Sequence, residues 1–218
     1  MTAPELPPGA DWTAVVLAGG TARRWGGRDK TAVPLGGEPV LARAVAAVLP
    51  HARAVAVVAP DDHPARAAIE GAARQAGRPL RWTREQPAGS GPVAALAAGL
   101  AALDAADGPD GVVAVLAGDL PFTRTAWPRL LAALAAAPGT DAVLGVDPQG
   151  HRQPLLAVYR RTALRRRLAA VPLADQPLRV VTAGLIVAEL PVTAVEALDL
   201  DTPADAVAAE RIVAGPPA

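Results

Sequence analysis

Apolar residues along the chain fall into short unbroken runs separated by stretches rich in glycine, proline and charge. Residues 14–18 (A-V-V-L-A), 54–59 (A-V-A-V-V-A) and 111–117 (G-V-V-A-V-L-A) carry no charge and no alternation, as strands covered on both faces do. Runs at 80–84, 141–146 and 155–159 predict three more strands, the last two joined by the turn-rich, hairpin-like stretch D-P-Q-G-H-R-Q-P at 147–154. A final strand is expected near 195–198. Helices are expected over 40–49, from the 60s to about 76, after Pro92, from near Thr123, over 161–170, and after Thr202, where Pro203 suits the first helical position. Alternating strands and helices predict an α/β fold, a three-layer α/β/α sandwich on a mainly parallel sheet with a small antiparallel excursion near 141–159.

Composition narrows this picture. Residues 1–11, with Pro4, Pro7, Pro8 and Gly9, read as a flexible leader, and 12–214 as a single domain in the 218-residue chain. Lys plus Arg and Asp plus Glu balance at 21 each, so no strong attraction to nucleic acid or membrane is expected. The chain has no cysteine, which excludes disulfides, thiolate metal sites and cysteine nucleophiles. No apolar run reaches membrane-spanning length, and a cytoplasmic protein is expected.

The first apolar run opens onto V-V-L-A-G-G-T-A-R-R-W-G-G-R-D-K at 15–30. Glycine lets the backbone lie against a ligand and offer N–H groups to phosphate oxygens. Arg23, Arg24, Arg28 and Lys30 add four cations within eight residues. Together these features call for an anion, most economically a nucleotide triphosphate. A P-loop is excluded because Asp29 and not glycine precedes Lys30, and the adjacent Gly19 and Gly20 break the dinucleotide-binding spacing.

The run from Leu17 to Lys30 matches L-A-G-G-x-[SA]-x-R-x-G-x-x-D-K and resembles the signature of the nucleotidyltransferases, most closely of the molybdenum cofactor guanylyltransferases. Gly118-Asp119-Leu120-Pro121-Phe122 is similar to the family's metal-binding motif, and Gly91-Pro92-Val93-Ala94-Ala95 to its G-P-L-A-G run, with Ala95 where glycine is usual. Arg152-Gln153-Pro154-Leu155 with Tyr159-Arg160 resembles the acceptor-facing segment. Asp199-Leu200-Asp201-Thr202-Pro203 resembles N-x-N-T-P, with aspartate replacing both asparagines.

The resemblance implies a Rossmann-like nucleotidyltransferase that moves GMP from GTP to the phosphate of molybdopterin and releases pyrophosphate. It assigns catalysis to Arg24, Lys30 and Asp119, and nucleotide binding to Leu17, Ala18, Gly19, Gly20, Lys30, Glu85, Gly91 and Asp119. Acceptor binding falls to Arg152, Gln153, Pro154, Asp199 and Asp201. Asp119 would hold Mg²⁺ or Mn²⁺, with Asp201 a candidate second ligand. Implied partners are GTP and molybdopterin, with transient contact to other cofactor-biosynthesis or acceptor proteins. The two aspartates leave open a cytidylyltransferase or another small-molecule phosphate guanylyltransferase, and a non-catalytic nucleotide-binding module is the rival from another class. Other polar features have plainer readings: His63 beside Asp61 and Asp62 as part of a turn and helix cap rather than a metal site, Trp127 as packing, and Arg165-Arg166-Arg167 as a solvated face.

Overall fold

The computed structural model describes residues 11–19, 25–26, 28–107 and 111–215, so most of the expected leader lies outside the described residues. Seven strands form one sheet: β1 (Trp12–Leu17), β4 (Val55–Val58), β5 (Leu80–Thr83), β6 (Val112–Ala117), β7 (Ala142–Val146), β8 (Arg152–Arg160) and β9 (Val187–Pro191). Their order is β5-β4-β1-β6-β8-β7-β9. All neighbours pair in parallel except β8, which is antiparallel to both β6 and β7. That is the excursion expected near 141–159. Strands β2 (Pro34–Leu35) and β3 (Glu38–Pro39) form a separate hairpin.

Successive residues of the central strands serve opposite faces, which is why their sequences are apolar apart from the buried Thr13 of β1. Ala14, Val16, Val55, Val57, Ala114 and Leu116 pack with Leu41, Ile69, Leu130 and Leu134 from helices α1 (Val40–Ala46), α2 (Arg66–Gln75) and α4 (Ala126–Ala136). Val15, Leu17, Ala56, Val58, Val113 and Val115 face the other way, onto Val93, Leu96, Leu100, Leu103, Leu164 and Leu168 from α3 (Gly91–Asp107) and α5 (Arg161–Ala169). The short α6 (Arg179–Thr182) adds Val181 to that layer, and α7 (Pro203–Ala214) covers the hairpin through Leu35, Val40, Leu200 and Ala209. Trp127 is core, 1% exposed. No helix among the described residues is long and apolar enough to cross a membrane.

The strand expected near 195–198 is a correction. Residues 194–197 form a turn, and the last strand is β9, which ends at Pro191, before the expected stretch begins. The apolar letters around position 196 mislead because Val195 is exposed while the charged Glu196 is buried. Glu196 accepts from Arg129, Thr125 and Thr193 instead of joining a ladder. Strand β9 was hidden because it is a half-exposed edge strand interrupted by Glu189 and ended by Pro191.

Candidate functional site

Strands β1, β4, β5, β6 and β7 all end at one edge of the sheet, and antiparallel β8 begins there. Open α/β sheets bind ligands at this edge, where loops leave the strand ends. Leu17 and Ala18 are buried at the end of β1, and Gly19 is exposed just beyond them. Gly20, Arg23 and Arg24 lie outside the described residues.

Asp119 follows β6. Gly118 makes the approach possible: a Cβ there would sit 2.9 Å from both Ala18 Cβ and Leu41 Cδ1, so a larger residue would push the end of β6 away from β1. The Gly118 amide donates to the Leu17 carbonyl at 2.8 Å. Asp119, 8% exposed, is thereby held beside the signature loop and does not cap the short 3-10 turn Thr123–Thr125.

Lys30 opens a 3-10 turn, Lys30–Ala32, capped by Asp29. Its Nζ lies 2.5 Å from Asp119 Oδ2 and 2.5 Å from Asp201 Oδ1. Burial works to lower the Lys30 pKa, but the charges of and hydrogen bonds to Asp119 and Asp201 outweigh it and raise it. Asp199 completes the cluster: one oxygen from each of Asp119, Asp199 and Asp201 lies within 4.8 Å of the others. Burial and the charges of Asp201 and Asp119 push the Asp199 carboxyl up, against the opposing pull of Lys30. Three hard carboxylate donors so close together suit a small divalent cation.

Residues 199–201 reach this place through contacts distant in sequence. The Leu200 amide donates to the Asp119 carbonyl at 3.3 Å, and Trp25 Nε1 donates to the Leu200 carbonyl at 3.0 Å. Trp25 therefore ties the signature loop to the aspartate segment. Upstream, Glu196 accepts both Arg129 Nη2 contacts at 2.7 and 2.6 Å and the Thr125 hydroxyl at 2.6 Å, anchoring the segment to α4. Burial pulls the Glu196 pKa upward, but these bonds prevail and lower it. Downstream, Thr202 and Asp205 form a capping box with Pro203 at the start of α7, as the sequence predicts.

The loop through Gly89, Ser90 and Gly91 enters α3 at the same edge. Glu85 Oε1 accepts from the Gly89 amide at 2.8 Å, so in this structure its carboxylate shapes the loop. Gly91 has φ of +87°, a conformation favouring glycine, and the Ser90 carbonyl accepts from the Asp175 amide at 2.7 Å.

On the expected acceptor side, the pairing of Leu116 with Leu156 carries residues 152–154 past the end of β6 to the site's edge. Arg152 pairs with Glu189 at 2.6 Å, Gln153 Nε2 donates to Asp147 Oδ2 at 3.0 Å, and the Pro154 carbonyl accepts from the Tyr159 hydroxyl at 2.8 Å. The arginine row of α5 is occupied with structure: Arg165 pairs with Asp104, Arg166 with Asp141, and Arg167 donates to the Val180 carbonyl.

Sequence reasoning missed Trp25, Glu196 and the reach of His63. Of the turn and helix cap expected at His63 only the turn is found: Nδ1 accepts from the Ala65 amide at 3.1 Å, but Ala65 itself is the N-cap of α2, which has no side-chain cap. Its other ring nitrogen, however, lies 3.0 Å from the Thr31 hydroxyl, 32 residues away, and no local spacing signals that contact.

Residues 14–190 match the MobA-like NTP transferase domain family. A probable molybdenum cofactor guanylyltransferase of Chloroflexus aggregans is 35% identical over 167 residues, 72% of this chain and 71% of that protein. A molybdenum cofactor guanylyltransferase of Rhodobacter capsulatus is 34% identical over 151 residues, 61% of this chain and 74% of that one. In fold, the chain resembles molybdopterin-guanine dinucleotide biosynthesis protein A of Archaeoglobus fulgidus, with a TM-score of 0.62 and 24% identity over 93% of this chain and 98% of that one. With the sequence match spanning the sheet from β1 to β9 and the fold agreeing, the chain belongs to the MobA-like NTP transferase family.

Proposed function

We propose that this protein transfers GMP from GTP to the terminal phosphate of molybdopterin, releasing pyrophosphate. A phosphate oxygen of the acceptor forms the new bond to the α-phosphorus, and the bond from that phosphorus to the bridging oxygen of pyrophosphate breaks. The observation carrying this reading is the meeting of the Lys30 ammonium with Asp119 and Asp201, where the signature loop and the end of β6 converge. Ionised phosphate is its own nucleophile, so positioning and charge neutralisation carry the catalysis and no strong general base is needed.

Each group then has a task. Leu17, Ala18, Gly19 and Gly20 bring backbone close to the triphosphate, and Lys30 with Arg24 neutralises charge on the departing pyrophosphate. Glu85 and Gly91 shape the nucleotide pocket. Arg152, Gln153 and Pro154 stand on the acceptor side. Asp119, with Asp201 as second ligand, would hold Mg²⁺ or Mn²⁺, which when bound supplies positive charge to the phosphate oxygens. The substrates are small molecules in a single domain spanning 12–214.

Purified protein given Mg²⁺, GTP and molybdenum-loaded pterin should release pyrophosphate. Lys30→Ala and Asp119→Ala should each lower release at least about 100-fold. GTP binding without pyrophosphate from any acceptor would leave a non-catalytic module instead. Asp199 and Asp201, in place of the family's asparagines, favour a second reading as a cytidylyltransferase. Faster turnover of CTP than GTP across the same acceptors would select it.

A further inference from the structure

His63 has no task in the group transfer described above, yet its side chain is fully buried. The Ala65 amide donates to Nδ1 at 3.1 Å, so Nδ1 accepts and the ring N–H is on Nε2. That N–H points at the Thr31 hydroxyl at 3.0 Å and at Asp29 Oδ2 at 3.3 Å. The Thr31 hydroxyl in turn donates to Asp29 Oδ1 at 2.7 Å, and the Thr31 amide donates to the same oxygen at 2.9 Å. Burial pulls the Asp29 pKa up, but the bonds from His63 and Thr31 outweigh it and lower it. Trp82, whose ring centre lies 6.2 Å from that of His63, stands against the imidazole, with the Arg66 guanidinium over its own ring.

Lys30 lies between Asp29 and Thr31 in this turn. We propose that His63 is a positioning residue: as the Nε2–H tautomer it locks the turn around Lys30 and so fixes where the ammonium meets the polyphosphate. The inference rests on the reading of Lys30 as a transfer group. The imidazole joins two strand ends, holding the α2 entry with one nitrogen and the signature turn with the other. An apolar side chain of equal volume would fill the space but leave the turn, still capped by Asp29, without its tie to the α2 entry. Misplacing a charged group by about 1 Å can cost roughly 100-fold in rate.

Two amides separate the roles of the two nitrogens. In His63→Asn the side-chain oxygen stands near Nδ1 and keeps the bond from the Ala65 amide but cannot reach Thr31. In His63→Gln the amide nitrogen stands near Nε2 and keeps the donor to Thr31 while losing the bond from Ala65. We expect kcat for pyrophosphate release to fall about 10- to 100-fold in His63→Asn, with KM for GTP changed less than about 3-fold and Tm near that of the parent. His63→Gln should recover most of kcat despite a lower Tm. Thr31→Val, which leaves the α2 entry untouched, should lose kcat to the same extent as His63→Asn. Parental kcat in either His63→Asn or Thr31→Val overturns the inference, as does a kcat that follows Tm across the three variants. Lys30→Ala distinguishes the two failures: if it still releases pyrophosphate the functional reading falls as well, and if it is inactive while His63→Asn turns over normally, only the role of His63 falls.

Discussion

Replacing Lys30 with methionine keeps the length of the side chain and removes its charge. The ammonium nitrogen contacts Asp119 and Asp201 at 2.5 Å each, and without it three carboxylates are left with oxygens within 4.8 Å of one another. Two like charges at that separation repel by about 3.5 kcal/mol at an effective dielectric constant near 20. Proton uptake and partial solvent access relieve some of this, so the net loss should be about 2 kcal/mol near pH 8, below the cost of breaking a fully buried pair. For a chain of this size that lowers Tm by about 4–8 °C. The dependence on pH has a definite sign. In the variant the Asp199 carboxyl, already pushed up by burial and by Asp201 and Asp119, loses the opposing pull of Lys30, so stability falls as pH rises through its folded value and the deficit shrinks on acidification. In the parent, the raised Lys30 pKa contributes stability below its ordinary value of 10.5, and that contribution is lost only as pH climbs through the folded value. Thermal unfolding followed by circular dichroism between about pH 4.5 and pH 8, a range set by ordinary carboxylates, follows the carboxylate part, and parent melts carried above pH 10.5 follow that of Lys30. A variant melting with the parent at pH 8, or a deficit that widens as pH falls, would refute the coupling of Lys30 to the carboxylate cluster.

Glu196→Ala should cost about 2–3 kcal/mol by removing the carboxylate that Arg129, Thr125 and Thr193 all hold. Because that carboxyl is lowered from 4.5 in the fold, the cost should be full at neutral pH and shrink as pH falls through the lowered value, so a melting difference that stays constant into acid would count against it. Gly99→Ala adds about 1 kcal/mol of helix propensity. Its Cβ would nevertheless sit 2.5 Å from Val15 Cγ1 and 2.9 Å from Val58 Cγ2, and overpacking of that kind costs about 1–3 kcal/mol. A lower urea midpoint is expected, and a higher one would show that α3 can lift from the sheet. Asp201→Asn should raise the Mg²⁺ concentration for half-maximal pyrophosphate release by about 10-fold, a loss of roughly 1.4 kcal/mol; an unchanged requirement would remove Asp201 from the ligand set.

The layered architecture was legible because strands buried on both faces must be almost wholly apolar, as β1, with only Thr13 polar, β4 and β6 are, and the helices between them are delimited by glycine and proline. The boundaries at β9 and near 196 were not, because a half-exposed edge strand and a turn that buries its charged residue both invert the expected letter pattern. The same distinction runs through the site. Lys30 and Asp119 stood out by local motif, and Gly118 shows why its motif needs glycine, since the end of β6 lies against β1 with no room for a Cβ.

The order of residues by itself determined an α/β fold, the strand ends that carry charge, and the family to which those motifs are similar, since each follows from periodicity or from residues close together in the chain. Tertiary structure decided which of those charges meet. Asp201 comes to Lys30 from 171 residues away, Trp25 reaches Leu200 across 175, and His63 reaches Thr31 across 32. Such contacts depend on strand order and on the packing of loops at one sheet edge, and neither is encoded in the spacing of any local motif.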